Sequence, residues 1–229
     1  MGSLTDVLCI SSSIKMPLLV LPTKTILVRL AHGVVMISPG SGLAGVREQI
    51  DAFGTVTDIV APNLFHNVGI KSACKLFPDA TLWGVKGFAE KLPGISWEKT
   101  LEPEWWPYGA ELELMPVNGM PKINEMVMLH RASRTLIATD LCFNHVEGRG
   151  FGYWVVFNLF GAYRKFAVSR LFLKMAKDKA ALNESLKQIL AADFDNVIMA
   201  HGHNVLGNGK AQLKQALIER GVAIQVVNS

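Results

Sequence analysis

Short apolar runs rich in β-branched residues recur along the chain, and most of them stop at Gly, Pro, Asn or Asp. Such runs are typical of buried strands in an α/β protein. Residues 25–30 and 34–38 flank a turn at Ala31-His32-Gly33 and predict a hairpin. The other runs predict strands at 55–60, 81–85, 112–117, 126–130, 135–139, 196–200 and 223–227.

Helical spacing of apolar residues separates many of these strands. In residues 43–53 this spacing continues to Phe53, and Gly54 supplies an expected carboxyl-terminal stop. Residues 93–111, rich in Pro, Trp and Glu, predict a loop that packs by its aromatic side chains. Further helices are predicted at 68–77, 87–91, 178–192 and 208–219. This order predicts an α/β fold, a sheet-rich sandwich, in a single domain over residues 1–229.

Three polar residues lie just past the ends of predicted strands: His66, Asp140 and His201. In α/β sheets ligands collect outside strand ends, where loops point side chains inward. Two imidazoles and one carboxylate at one rim would form a single-metal site of the 2-His-1-carboxylate type. The sequence therefore predicts that these side chains converge on one metal ion.

Two of these residues also have ordinary structural interpretations. A single histidine in a turn, as His66 is, often does no more than hydrogen-bond to nearby backbone. Asp140 has apolar neighbours and must be paired, hydrogen-bonded or metal-bound, because an isolated buried charge is costly. Its alternative role is to cap a turn through the backbone amides that follow it.

The remaining histidines carry weaker signals. His201-Gly202-His203 directs two imidazoles to opposite sides of an extended backbone, so His203 is expected to contact substrate or to support the ligands. His145 follows Asp140 closely and is a reserve ligand. His32 and His130 are expected to be surface or packing residues.

Residues 149–175 form an apolar segment that Arg164, Lys165 and Arg170 interrupt, so no uninterrupted membrane span is available. The segment is interpreted as a helical insertion that covers the site or forms a homodimer surface. An amphipathic helix on a membrane surface is the rival interpretation, and burial in the protein's own core is the plainest one.

Composition and charge narrow the classes of function. Half of the 229 residues are apolar, which allows a substantial core. The net charge is only +4 and the basic residues are dispersed, so nucleic-acid binding is disfavoured. Cys9, Cys74 and Cys142 are odd in number and include no C-x-x-C pair, which argues against a disulfide framework or a thiolate zinc site.

Other sequence signals are negative. The amino-terminal residues lack a basic region before a long apolar stretch, which argues against a signal peptide and favours a cytoplasmic protein. The sequence has no G-x-S-x-G elbow and no cysteine in an activating context, which disfavours nucleophilic catalysis. The glycine-rich residues 39–42 lack a Walker lysine and are interpreted as a turn.

Four motifs carry a resemblance to a known family: Ala61-Pro62-Asn63-Leu64-Phe65-His66, Ile123-Asn124-Glu125, Thr139-Asp140-Leu141-Cys142-Phe143-Asn144 and Ala200-His201-Gly202. Together, over roughly residues 25–217, they resemble a branch of the metallo-β-lactamase superfamily with a degenerate metal motif. The resemblance implies a metallo-β-lactamase-like αββα sandwich with its site at the edge of the two sheets.

The departures from that family are informative. Its first metal motif is H-x-H-x-D-H, and the resemblance places Pro62 and Leu64 at the first two histidines. It places His66 at the aspartate and Asn67 at the last histidine. Proline and leucine cannot replace imidazole ligands, so the first metal position is dismantled.

The later motifs point the same way. The family's next histidine is expected near Gly119 or Met120 and is missing, whereas Asp140 and His201 match the bridging aspartate and the closing histidine. The resemblance therefore implies a mononuclear centre held by the three strand-end residues, with Asn67 as a weak fourth ligand.

The leading hypothesis is a metal-dependent hydrolase-like protein that holds one divalent ion, Zn, Fe or Mn. The ion would activate water and polarise an ester, amide or phosphoester of an unidentified small molecule. His203 and His145 are the predicted catalytic residues, which position the substrate or support the ligands. Iron-dependent oxidation at the same ligands is an alternative chemistry. The alternative function is a non-catalytic binding module that uses residues 149–175 for a partner or a membrane.

Overall fold

The structure is a computed structural model that describes residues 4–15, 19–97, 99–145 and 150–223. Its strands are β1 Val7–Lys15, β2 Val20–Leu30, β3 Gly33–Ile37, β4 Val56–Ala61, β5 Thr81–Gly84, β6 Lys99–Thr100, β7 Leu112–Pro116, β8 Met126–His130, β9 Thr135–Ala138, β10 Cys142–Asn144, β11 Phe166–Val168 and β12 Asn196–Met199. Its α-helices are α1 Arg47–Phe53, α2 Ile70–Leu76, α3 Phe88–Lys91, α4 Phe151–Phe160, α5 Arg170–Lys174, α6 Lys179–Ala191 and α7 Gly209–Ile218. Single 3-10 turns lie at Leu4–Asp6 and Leu43–Val46.

Two sheets form the centre of the fold. The first contains β1 to β6 in sequence order, antiparallel from β1 to β3 and parallel from β3 to β6. The second has the order β12-β9-β8-β7, in which β12 and β9 run parallel. Strands β10 and β11 form a separate antiparallel pair beside them. The carboxyl ends of β4, β9 and β12 are therefore available to build one rim.

Successive side chains of the second sheet pack alternately into two cores, which explains why its strands are continuous apolar runs. In β8, Met126 and Met128 belong to the core between the sheets, whereas Val127 and Leu129 belong to a second core on the opposite face. That second core also contains apolar side chains of α6 and α7. A strand buried on both faces has no polar side, because successive side chains point to opposite faces. The result is the α/β sandwich of two sheets and outer helices that the sequence predicts.

Most predicted strands and helices are confirmed, and several elements were missed. The first hairpin strand begins at Val20, not at residue 25, and the predicted helix at 43–53 starts with a 3-10 turn. The sequence pattern does not indicate β1, β10 or β11, nor the two-residue strand β6 inside the 93–111 loop. The strand predicted at 223–227 falls almost wholly on residues outside the described part of the chain.

The apolar segment at 149–175 contains α4, β11 and α5, so it is helical at both ends with a short strand between. Tyr153, Phe157 and Phe172 are buried, in line with a core role for part of the segment. Phe151 and Leu159 are 79% and 70% exposed, so another part faces outward. Among the described residues, none of the helices has the combined length and apolarity of a membrane span.

Candidate metal centre

The three strand-end residues of the prediction lie together at one rim. His66 follows β4, Asp140 follows β9 and His201 follows β12, and one donor atom of each lies within 4.8 Å of the others. Asp140 Oδ2 is 3.4 Å from His66 Nε2, and Asp140 Oδ1 is 3.5 Å from His201 Nε2. Side chains from both sheets therefore converge, as the strand-end pattern predicted.

The spacing of these donors fits a metal ion. Ligands about 2.0–2.1 Å from a tetrahedral zinc ion lie about 3.3 Å from one another. The two imidazole Nε2 atoms, of His66 and His201, are 3.2 Å apart, close to that edge length. A cavity that is lined by all three side chains leaves room for further ligands. The residues present can therefore hold one divalent ion with open positions.

A backbone carbonyl orients the imidazole of His201. Its Nδ1 lies 3.1 Å from the carbonyl oxygen of Pro22, which can only accept a hydrogen bond. Nδ1 therefore carries the proton, and Nε2 presents its lone pair to the centre. The ring also stacks on Phe143 with centroids 5.2 Å apart. A second hydrogen bond of this kind is the usual support of a metal-binding histidine.

Ser38 supports the other imidazole. Its hydroxyl hydrogen-bonds to Nδ1 of His66, and its backbone has a φ of 53° at the end of β3. A left-handed φ is uncommon for a residue other than glycine. When the hydroxyl accepts from Nδ1, Nε2 of His66 also has a lone pair directed at the centre. Two lone pairs at this separation repel each other unless a cation lies between them.

Asn63 links the first loop to the carboxylate. Its side-chain oxygen accepts hydrogen bonds from the backbone N–H groups of Phe65 and His66, at 2.8 and 3.0 Å. Its Nδ2 donates to Asp140 Oδ2 at 2.7 Å and to Thr139 Oγ1 at 2.9 Å. The residue is fully buried. One amide therefore fixes both the turn that carries His66 and the orientation of Asp140.

Glu125 holds the loop that carries the carboxylate ligand. Its buried carboxylate accepts hydrogen bonds from the backbone N–H groups of Thr139, Asp140 and Leu141, at distances of 2.9 to 3.2 Å. The alternative interpretation, in which Asp140 caps the following turn, is not what the structure shows. Glu125 takes the capping role, and the carboxylate of Asp140 is left for the two imidazoles.

The two carboxyl groups differ in their electrostatics. Burial opposes ionisation of Asp140, but without a metal ion the positive charge of the His66 and His201 imidazoles in their protonated form outweighs it and holds the pKa of Asp140 well below its usual range. Burial, reinforced by the charge of Asp140, raises the pKa of Glu125 to about 7. Asp140 is therefore the anionic donor of the pair.

The cavity at the centre is mainly apolar. Its volume is about 410 Å³, and the three candidate ligands form a polar patch in its wall. The end of α4 and helix α5 contribute to this wall, which connects the 149–175 segment to the site. Apolar lining residues include Leu21, Phe65, Ile123, Phe160, Leu171 and Phe172.

The other predicted site residues lie around the centre. Asn67 follows His66 in the same turn and is half-buried, and its role as a weak fourth ligand stays a prediction. His145 is buried, with its ring centroid 6.2 Å from that of His201. His145 and the exposed His203 line a second cavity, not the one at the candidate ligands. Their predicted catalytic roles stay predictions.

Four groups that orient the three ligands have no role in the sequence-based prediction: Asn63, Glu125, Ser38 and the Pro22 carbonyl. Asn63 and Glu125 stand inside motifs that carried the family resemblance. Their buried polar character was the signal that could have identified them, because a polar residue within an apolar sequence context needs a partner.

The positions that the resemblance assigned to the missing histidines offer no imidazole. Pro62 and Leu64 precede His66, and neither side chain can bind a metal. Met120 is buried, and a Cβ atom at Gly119 would lie 2.1 Å from the Asp178 carbonyl oxygen, so this turn excludes any side chain there. In the described part of the chain, the three candidate ligands form the one group of His, Cys, Asp and Glu side chains placed to hold an ion.

No family model matches the sequence, and no curated protein matches it. Several solved structures match the fold of this chain. The crystal structure of the DIM-1 metallo-beta-lactamase is 14% identical, with a TM-score of 0.65 over 94% of each chain. The metallo-beta-lactamase from Pontibacter korlensis is also 14% identical, with a TM-score of 0.62 over 93% of this chain and 94% of that one. The metal-soaked Flv1 flavodiiron core from Synechocystis sp. PCC6803 is 12% identical, with a TM-score of 0.65 over 93% of this chain and 58% of that one. Identities this low establish shared architecture alone: the chain has the metallo-β-lactamase fold.

Proposed function

We propose that this protein is a metal-dependent hydrolase with a mononuclear centre held by His66, Asp140 and His201. The observation that carries the proposal is that one donor atom of each residue lies within 4.8 Å of the others, with the two Nε2 atoms 3.2 Å apart and protonated Nδ1 of His201 turned away toward Pro22. A divalent ion bound there supplies Lewis acidity, which lowers the pKa of water and polarises a carbonyl or phosphoryl oxygen.

The chain's own residues prepare this chemistry. Pro22 and Ser38 hold the two imidazoles with Nε2 directed inward, and Asn63 holds the carboxylate of Asp140. The ionised carboxylate supplies the negative charge that favours a divalent cation. Support of ligands by surrounding hydrogen bonds typically changes metal affinity or activity by about 10–100-fold.

The cavity indicates the class of substrate. Its walls are mostly apolar, and the polar donors lie at one patch. A cavity of about 410 Å³ is large enough for a small organic molecule. We therefore infer a substrate with an apolar group beside a hydrolysable ester or amide. Its apolar group would lie against Phe172 and Leu171.

A chain-length series of p-nitrophenyl esters tests this proposal. With protein reconstituted with Zn²⁺, Fe²⁺ or Mn²⁺, kcat/KM is expected to rise from the acetyl to the hexanoyl ester, because added methylenes enter the apolar cavity. Dialysis against a chelator is expected to abolish hydrolysis, and the same ion is expected to restore it.

Matched variants separate the centre from surface effects. Asp140→Ala is expected to lose metal and activity together, whereas Asp51→Ala removes an exposed carboxylate paired with Arg47 and keeps both. Hydrolysis that survives both chelation and Asp140→Ala would contradict the proposal.

A second candidate function is a non-catalytic binding module that uses α4. The exposed side chains of Phe151, Trp154 and Leu159 favour it, because large apolar groups outside a core are typical of contact surfaces. Arg164 and Lys165 follow α4 and would add positive charge beside an anionic membrane.

Co-sedimentation with anionic liposomes tests this second candidate. Binding by the wild type that is lost in Trp154→Ser and weakened by Arg164→Glu plus Lys165→Glu would support a membrane contact. Binding unchanged by the charge reversals would count against it, and a monomer–dimer equilibrium sensitive to Trp154→Ser would indicate a homodimer instead.

A further inference from the structure

Helix α5 also borders a basic cavity that is separate from the metal centre. Phe172 of α5 lines the metal cavity, whereas Arg170 and Lys174 line this one, and no described residue lines both. Its volume is about 500 Å³. Among the described residues no acidic side chain lines it, and its basic lining residues are Arg170, Lys174, Lys179 and Arg220. The fold therefore brings four positive charges to one concave surface.

Two guanidinium groups of this cavity are held side by side. Arg220 is half-buried and donates hydrogen bonds from Nε to the Val168 carbonyl oxygen, at 2.7 Å, and from Nη2 to the carbonyl oxygen of Gly161. A Cβ atom at Gly161 would lie 2.7 Å from Arg220 Nη2 and 2.9 Å from Arg170 Nε, so both guanidinium groups lie against this glycine. Like charges this close repel each other, and a bound anion would relieve the repulsion.

The carboxylates next to these cations in the sequence have other partners. Asp178 precedes Lys179, and its side chain accepts hydrogen bonds from two backbone N–H groups at the start of α6. Glu219 precedes Arg220 and forms an ion pair with Lys165 at 2.6 Å. In the part of the chain that the structure describes, none of the four cations of the cavity belongs to an ion pair. Their charge is therefore available to an anion from outside the chain.

The number and type of these groups indicate the chemistry of the anion. A carboxylate brings one negative charge, whereas a phosphate monoester brings about 1.5 to 2 at pH 7 and three acceptor oxygens. Guanidinium groups match the geometry of phosphate oxygens through two parallel hydrogen bonds. The amide of Asn183 adds an uncharged polar group, and Leu173, Leu182 and Val222 add apolar wall. A cavity of this size leaves room for an organic group beside the phosphate.

We propose that the basic cavity binds a phosphate monoester, with the phosphoryl oxygens on Arg170, Lys174 and Arg220 and the organic part against Leu173 and Leu182. Arg170 and Lys174 are exposed, so a dissolved ligand can reach them. The site is separate from the metal centre and does not depend on the proposed hydrolysis. The same phosphoryl group could belong to a small dissolved molecule or to the headgroup of phosphatidic acid.

Calorimetric titration with phenylphosphonate tests the site, because the carbon–phosphorus bond of this probe resists hydrolysis. At about pH 8 its phosphoryl group is close to dianionic, as a phosphate monoester is. Benzenesulfonate has a similar shape and a single charge, and is the matched probe. Phenylphosphonate is expected to bind saturably, and benzenesulfonate at least about tenfold more weakly. Added salt is expected to weaken the binding of phenylphosphonate.

Variants assign the binding to the basic cavity. Arg170→Met plus Lys174→Met is expected to weaken phenylphosphonate binding at least about tenfold. The midpoint of thermal unfolding is not expected to fall, since the double variant removes repulsion between like charges. Lys71→Met plus Lys75→Met removes two exposed charges at the same spacing on α2 and is expected to keep wild-type binding.

A further variant separates the two sites. Asp140→Ala removes a candidate metal ligand and is expected to bind phenylphosphonate as tightly as the wild type. Binding that Asp140→Ala abolishes and that Arg170→Met plus Lys174→Met leaves intact would place the phosphonate at the metal centre and overturn the proposal.

Vesicles identify the source of the phosphoryl group. If it belongs to a lipid, the protein is expected to sediment with phosphatidylcholine vesicles that contain phosphatidic acid more than with vesicles that contain phosphatidylserine. Phenylphosphonate is then expected to compete, and Arg170→Met plus Lys174→Met to reduce sedimentation. If the ligand is a small dissolved molecule, phenylphosphonate binds without any such preference among vesicles.

Two other results would overturn the proposal. Equal binding of phenylphosphonate to the wild type and to Arg170→Met plus Lys174→Met would remove these cations from any phosphate site. Equal affinity for benzenesulfonate and phenylphosphonate would show that the cavity attracts anions through its charge alone and does not select a phosphoryl group.

Discussion

Asn63 Nδ2 lies 2.7 Å from Asp140 Oδ2, so an amide from the loop after β4 fixes a carboxylate that follows β9 in the opposite sheet. The same amide holds the turn of His66 through its oxygen. Asn63→Ala is expected to lower metal affinity about 10–100-fold, because two ligands lose their orientation together. Competition with a chromophoric chelator measures the affinity.

The control for this prediction is Asn208→Ala, which removes an exposed amide that makes no capping hydrogen bond. Metal affinity of Asn208→Ala is expected to equal that of the wild type. Full metal affinity in Asn63→Ala would contradict the prediction, because the ligands would then keep their geometry without the hydrogen bonds of the Asn63 side chain.

Leu171 lines the apolar cavity and is 44% exposed. Leu171→Asp puts a charge where the substrate's apolar group is proposed to lie. We expect the ratio of kcat/KM for hexanoyl over acetyl esters to fall about tenfold or more, since small changes in an apolar pocket alter selectivity by that order. Metal content is expected to remain unchanged. An unaltered ratio would place the acyl chain elsewhere.

Asp58 is a buried carboxylate that organises a structural network away from the candidate ligands. It accepts hydrogen bonds from Trp83 Nε1 at 2.7 Å and Thr57 Oγ1 at 2.8 Å, and His32 Nε2 lies 2.9 Å from it. Asp58→Ala is expected to lower the free energy of unfolding by about 3 kcal/mol or more, because it leaves buried partners unsatisfied.

Urea unfolding measures this loss, with Asp51→Ala as the surface control. That control is expected to change stability by no more than about 0.5 kcal/mol. A loss for Asp58→Ala as small as that of the control would show that the network contributes little.

His130 makes the stability of the fold depend on pH. It is buried, its Nδ1 lies 2.7 Å from Ser133 Oγ, and burial lowers its pKa from 6.5. The unfolded chain therefore takes up this proton first, so the stability that His130 contributes is complete above pH 6.5 and is lost as the pH falls below it. The drop in unfolding free energy between about pH 7.5 and 5.5 is expected to be smaller in His130→Asn than in the wild type. Equal drops would exclude His130 as a cause.

Local patterns predicted the rim of the site well. The runs that end before His66, Asp140 and His201 are continuous because their strands are buried on both faces, and Pro62 and Gly202 closely follow the first and the third run. The signal at each strand end spans only a few neighbouring residues, so it can be recognised from the sequence alone. The convergence of three such ends then follows from how strands align in sheets.

Elements that depend on distant partners were missed. Strand β1 contains three consecutive serines and is half-exposed, and it is defined by its nine pairs with β2. Strands β10 and β11 have three residues each, too few for a periodic signal. The support of Asp140 by Asn63 joins residues 77 positions apart. Such contacts arise from packing, and no local pattern in the sequence identifies the two partners.

Elemental analysis of the purified protein tests the central claim most directly. Protein grown with Zn, Fe and Mn available is expected to contain about one ion per chain, with near-complete loss in both His66→Ala and Asp140→Ala and full retention in Asp51→Ala. A metal-free protein whose stability those two substitutions leave unchanged, or a stoichiometry near two, would contradict a mononuclear centre at these residues.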